Sequence, residues 1–175
     1  MDPITQGVVG VIAAQHLPLN TQKIAALSVV GGLAAMAPDL DVLIRSAEDP
    51  LLFLEYHRQF THSLIFIPVG GLICASVFWL LLKKWLPLSF KQILIAATIG
   101  YATHGLLDAC TSYGTLLFWP FSDTRVAWHV ISIIDPLYTL PLIALCIGRL
   151  MTRKKLFSHI ALAWLLAYPT IGLIQ

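Results

Sequence analysis

Ser63-Leu-Ile-Phe-Ile-Pro-Val-Gly-Gly-Leu-Ile-Cys-Ala-Ser-Val-Phe-Trp-Leu-Leu-Leu82 runs for twenty residues without a charge. As an α-helix it would reach roughly 30 Å, the thickness of a bilayer's hydrocarbon core. The rest of the chain is written the same way. Of 175 residues, 58% are hydrophobic and 11% charged, against about 25% charged in soluble domains; the mean hydropathy is +0.81. Apolar runs separated by short polar turns exclude a single anchor on a soluble body. The prediction is an all-α integral membrane protein, a polytopic helical bundle forming one membrane-embedded domain over residues 1–175. Six segments are expected, at about 5–18, 24–38, 63–82, 92–108, 131–148 and 156–174. The first two are short enough to span only if tilted or extended. Pro18, Pro50 and Pro87 fall in connections, whereas Pro68, Pro141 and Pro169 fall inside spans and predict kinks. Met1-Asp2-Pro3 lacks a basic leader, so the first apolar segment is expected to stay in the mature chain.

Charge placement orients this weave. Lys23, Lys83, Lys84, Lys91, Arg149, Arg153, Lys154 and Lys155 fall on one side, eight of the eleven basic residues. That side is expected to be cytoplasmic, with both termini opposite. The other side receives Arg45, Arg58 and Arg125 with all nine acids: Asp2, Asp39, Asp41, Glu48, Asp49, Glu55, Asp108, Asp123 and Asp135. The chemistry is therefore expected at the extracytoplasmic face.

Beyond the long apolar run, Gly100-Tyr-Ala-Thr-His104-Gly-Leu-Leu-Asp108 closes a helical segment with a histidine and an aspartate four residues apart. A helix brings both onto one face, roughly 6 Å apart, which is metal-ligand spacing. Buried in a membrane such residues face a cavity, a partner or an ion, although a His–Asp hydrogen bond between packed helices is the plainer alternative. Three more polar stretches reach the same depth: Ala37-Pro38-Asp39-Leu40-Asp41, His57-Arg58-Gln59-Phe60-Thr61-His62-Ser63 and Ile134-Asp135-Pro136. Together they offer enough nitrogen and oxygen donors for one or two divalent cations, with zinc or manganese fitting best. Singly each has an ordinary reading. Asp-x-Asp makes loops and caps, and Asp135 before Pro136 is a helix cap as readily as a ligand.

Arg58 and Arg125 stand among acids, where an arginine forks onto phosphate or braces a carboxylate. His129 beside Trp128 reads as interfacial, and His16 and His159, toward the basic side, as structural. Cys74, Cys110 and Cys146 read as small buried thiols.

Met1-Asp-Pro-Ile-Thr, Ala-Pro-Asp39-Leu-Asp41, His57-Arg-x2-Thr-His62-Ser, Gly-Tyr-x2-His104-x3-Asp108-x2-Thr-x-Tyr-Gly, Trp-Pro-Phe-Ser-Asp123 and Ile-Ile-Asp135-Pro together resemble the LexA-regulated, membrane-bound metal-dependent hydrolases of bacterial inner membranes. The resemblance covers residues 1 to about 140. More distantly, the His-x3-Asp element is similar to zinc-dependent phospholipases C. Members of the hydrolase family usually read Ile-Thr-His near the start, where this chain has Gln6. An amide is a poor zinc ligand and no general base, which leaves a site with one ligand fewer or an inactive form.

The resemblance implies a hydrolase acting on a lipid or lipid-linked ester or phosphoester. Asp39, Asp41, His62, His104 and Asp108 would hold the metal, His57 would carry protons or add a ligand, and Asp135 would be general base. The alternative is a non-catalytic metal-binding or metal-transporting membrane protein, for which polar ligands should line a route through the bilayer; here they crowd one face. The expected partner is a membrane lipid or lipid-linked substrate rather than nucleic acid, and the oligomeric state is left open.

Overall fold

A computed structural model describes residues 1–18, 23–49, 51–52, 56–85 and 88–174. Pro50, Glu55 and Pro87 lie outside the described residues. The described chain holds six α-helices: α1 Pro3–Gln15, α2 Ile24–Met36, α3 Ile67–Leu82, α4 Phe90–Ala109, α5 Pro136–Thr152 and α6 Lys155–Ile174. It is an all-α membrane protein. Three stretches, Ile24–Leu43, Leu64–Leu82 and Lys155–Ile174, are long and apolar enough to cross a bilayer, while α5 is apolar but shorter.

The second segment reaches crossing length by changing helix type. Pro38 has no N–H to continue the α-ladder, and the chain tightens after Met36 into a 3-10 helix over Ala37–Leu43. The α-helical part is short, as expected, and extension into its flank is one of the two ways in which the second segment was expected to span. The expectation for Pro68 is corrected. It sits in the first turn of α3, preceded by 3-10 turns at Phe60–His62 and Leu64–Phe66, where a missing N–H is harmless. Pro141 and Pro169 do lie inside α5 and α6. The fifth helix starts at Pro136 rather than near 131 because Asp135 caps it, its carboxylate accepting from Tyr138 N at 3.1 Å. Ser89 opens α4 with a reciprocal cap on Gln92.

Two apolar cores flank α4. Leu27, Val30 and Ala34 of α2 meet Cys74 and Ala75 of α3 and Ile93, Ala96 and Ala97 of α4. Val9 and Ile12 of α1 meet Leu107, Tyr138, Leu142 and Ala161 from α4, α5 and α6. Small residues let the helices approach, as membrane packing requires. A Cβ on Gly100 would stand 2.2 Å from the Gly31 carbonyl oxygen, so α2 and α4 touch backbone to backbone there. This contact holds the C-terminal halves of α2 and α4 side by side. At the opposite end Lys23 Nζ donates to Gln92 Oε1 at 3.2 Å, fixing the starts of the same two helices together.

Candidate metal centre

The C-terminal ends of α2 and α4, the start of α1 and the turn before α3 meet at one end of the bundle. In α4 the i, i+4 spacing turns His104 and Asp108 to one face, and both are fully buried. Gly105, between them, allows the His62 carbonyl to approach: an added Cβ would be 2.2 Å from that oxygen. His62 is thereby held against α4, its ring 4.5 Å from that of His104 and nearly perpendicular to it.

Asp39 completes the group and Asp41 does not, although only one residue separates them. A 3-10 helix turns about 120° per residue, so positions two apart point in divergent directions. Asp39 Oδ1 lies 3.5 Å from His62 Nε2 and 3.3 Å from His104 Nε2. Asp108 Oδ2 lies 3.4 and 3.5 Å from the same two nitrogens, which are themselves 2.9 Å apart. The four donor atoms all lie within 4.8 Å of one another. For metal–ligand bonds of about 2.0–2.2 Å, the edge of a ligand tetrahedron is about 3.3–3.6 Å. This group could hold a metal ion.

Hydrogen bonds behind the group decide which atoms face inward. His104 Nδ1 donates to the Ala35 carbonyl, leaving Nε2 a bare lone pair. Thr61 Oγ1 gives its proton to Asp41 Oδ2 at 2.9 Å and accepts from His62 Nδ1 at 2.9 Å, so His62 Nε2 is bare as well. Asp39 Oδ1 is buried without any hydrogen-bond partner, and Asp108 Oδ2 is buried with no hydrogen bond but with Arg58 Nε 3.3 Å away as an ion pair. Four lone-pair atoms therefore converge. One proton between the two imidazoles would serve that pair, leave Asp39 Oδ1 unmet at about 1–3 kcal/mol and leave Asp108 Oδ2 only its ion pair with Arg58. A cation meets all four.

Asp41 stands behind His62. Its Oδ1 accepts from His57 Nδ1 at 2.7 Å, and Oδ2 accepts from Arg58 N at 3.0 Å and from Thr61. Carboxylates placed behind a liganding histidine fix its ring and tautomer. Gln6, fully buried, donates from Nε2 to Asp108 Oδ1 at 3.0 Å. The Met1 α-ammonium contacts that same oxygen, which turns Oδ2 toward the histidines.

Arg58 adopts φ 62°, a left-handed backbone costing about 1–2 kcal/mol for a residue with a Cβ. Asp41 holds its N–H, while Leu116 N and Thr115 Oγ1 each donate to its carbonyl at 3.1 Å. Its guanidinium lies 4.7 Å from the Tyr113 ring centre, with Nε 3.3 Å from Asp108 Oδ2 and Nη1 buried without a partner. Arg125 stacks on the same ring at 4.9 Å and donates to the Gly114 carbonyl at 3.3 Å. His57 is 20% exposed, and its ring is 6.2 Å from that of Tyr113.

The structure thus brings together Asp39, His62, His104 and Asp108, with Asp41, His57, Arg58, Gln6 and Arg125 around them. Asp135 stands apart from the group, with Oδ1 on Tyr138 N and Oδ2 accepting from Tyr168 Oη at 3.0 Å. His16 and His159 pack against each other, rings 5.5 Å apart, toward the other end. Thr61, Tyr113 and the Ala35 carbonyl were not singled out from sequence. The first two sit inside the quoted motifs, but neither is among the usual zinc ligands; a backbone carbonyl leaves no sequence signal at all.

The profile of the YdjM inner membrane protein family matches residues 1–175, and the chain belongs to that family. It is 32% identical over 111 residues to Inner membrane protein YbcI of Escherichia coli (strain K12), covering 61% of this chain and 62% of YbcI. It is 26% identical over 102 residues to Uncharacterized protein YfhP of Bacillus subtilis (strain 168), covering 58% of this chain and 30% of YfhP. The matched segments thus span less than two-thirds of either relative. No solved structure matches the chain.

Proposed function

We propose that this member of the YdjM inner membrane protein family is a metal-dependent hydrolase of a lipid or lipid-linked ester or phosphoester, working at the extracytoplasmic face. One observation carries the reading: four lone-pair atoms, two of them buried carboxylate oxygens that accept no hydrogen bond, converge beside an arginine whose Nη1 donates none. Asp39, His62, His104 and Asp108 would hold a divalent cation, zinc first by donor set and tetrahedral edge length and manganese second. When bound, the cation supplies Lewis acidity that activates water and polarises the substrate oxygen.

The protein's own groups do the rest. Asp41 and Thr61 hold His62 in one tautomer, and the Ala35 carbonyl does so for His104. Arg58 and Arg125, held on the two-arginine platform of Tyr113, supply donors for a phosphate or carboxylate oxygen. His57, partly exposed and paired with Asp41, is positioned to carry a proton between site and water. Asp39, 24% exposed where His62, His104 and Asp108 are buried, marks the open side. The outward orientation rests on the charge partition: the group lies at the end with the acids, away from Lys23, Lys83, Lys84 and the cluster from Arg149 to Lys155. The number of crossings, six in this reading, belongs to the same proposal.

A non-catalytic metal-binding protein is the second reading, and Gln6 favours it, since the amide contacts Asp108 where the resembling hydrolases carry a histidine. Turnover separates the two. Zinc- or manganese-loaded protein in detergent is expected to hydrolyse a short-chain phospholipid or a chromogenic phosphodiester, with His57→Ala slower and metal content unchanged. Metal-loaded protein that turns over no member of an ester and phosphoester panel returns the chain to metal binding alone.

A further inference from the structure

Beside the four-residue group, between the 3-10 continuation of α2 and helix α3, runs an apolar groove of about 580 Å³. That size falls in the range of small-molecule sites, about 300–1,000 Å³. Leu33, Ile73, Val77 and Phe78 line its deep part, and Tyr101 of α4 lines it too. Asp41, Thr61 and Pro38 line its other end. Along α3 the lining runs from Phe66 to Phe78, about 18 Å at 1.5 Å per residue. One leaflet of hydrocarbon is about 15 Å deep. Leu33, Ile73 and Val77 are 45%, 53% and 45% exposed, so the groove opens sideways to the bilayer.

Its polar end is built into the candidate metal centre. Thr61 lines the groove, accepts from His62 Nδ1 and offers its carbonyl to Tyr101 Oη at 2.8 Å. Asp41 lines it while bonding His57. An apolar channel one leaflet deep, open to lipid and ending in hydrogen-bonding groups one side chain from His62, has the shape of a lipid with its polar end at the site. We propose that this groove seats a single hydrocarbon chain of the lipid substrate, entering laterally from the leaflet, and so selects substrates by having such a chain. For the identity of the polar end this rests on the hydrolase reading above; for the seat itself it does not.

The test uses protein in nanodiscs, stripped of metal with chelator so that binding is read without turnover. The probe is phosphatidylethanolamine carrying a diazirine near the end of one acyl chain, photolysed and mapped by peptide mass spectrometry. Adducts are expected to concentrate several-fold on Leu33, Ile73, Val77 and Phe78 over Ile160 and Ile171 of α6, which are exposed and line no groove, and to fall in Val77→Trp and Ile73→Trp. Both positions are exposed enough to accept the larger ring. Uniform labelling of groove and α6 means ordinary boundary lipid and overturns the proposal. With metal restored, the tryptophan variants should raise KM for a long-chain phosphodiester and leave a water-soluble chromogenic one unchanged. Groove-selective labelling without turnover of either substrate sinks the hydrolase reading and keeps the seat. Turnover of the soluble ester with uniform labelling does the reverse.

Discussion

Asp39 and Asp41 look equivalent in the sequence, yet they have different work because the segment carrying them is helical, and positions two apart in its 3-10 turns point about 120° apart. Asp39 faces His62 and His104, whereas Asp41 holds His57, Arg58 N and Thr61. Thr61→Val should therefore release the His62 tautomer without touching a ligand. Metal affinity is expected to fall about 10–100-fold, the usual effect of losing a group behind a liganding histidine, as read by competition with a zinc chelator dye; unchanged affinity would remove Thr61 from the account. Gln6 gives a second residue-scale test. Its amide already donates to Asp108 Oδ1, so Gln6→His should place an imidazole beside the group, tighten metal binding and raise hydrolysis. If it changes neither occupancy nor rate while His104→Ala changes both, residue 6 takes no part. The divergence of the two aspartates was hidden in the sequence, since Asp-x-Asp serves loops, caps and helices alike and the side-chain directions follow only once the segment is helical. His104 and Asp108 were legible, because four residues of α-helix leave little freedom in where the two side chains point.

At the level of elements, the runs that become α2, α3 and α6 could be read directly, since apolar length is the signal a membrane span must carry. The start of α5 was misplaced by several residues because Ile131–Ile134 is as apolar as the helix, and Asp135-Pro136, the cap, follows it. What hydropathy could not reveal is how closely the elements meet. Gly105 brings the His62 turn onto α4, with 2.2 Å left for a Cβ. Gly105→Ala must push that turn outward by a fraction of an ångström or more. The variant is expected to keep its helical circular dichroism and lose most of its bound metal. Full metal content in a folded Gly105→Ala protein would mean that His62 does not depend on this approach.

For the whole molecule, the fold gathers polar groups from α1, α2, the turn before α3 and α4 at one end and keeps the long apolar helices for lipid. If that end is extracytoplasmic, single cysteines at Lys84 and Lys154, both exposed, should be reached by a thiol reagent only from the cytoplasm, and cysteines at Glu48 and Ser122 only from outside. The opposite labelling would move the site to the cytoplasmic leaflet and leave its geometry untouched. The central claim is that Asp39, His62, His104 and Asp108 act together as one cation site, and metal stoichiometry of the purified protein tests it most directly. Wild-type protein reloaded with zinc after chelation should carry about one ion per chain, as four converging donors require. Under the same conditions His104→Ala and Asp108→Ala, verified as folded, should retain little, while Asp135→Ala and His129→Ala should match wild type. Full occupancy in both His104→Ala and Asp108→Ala would contradict the account.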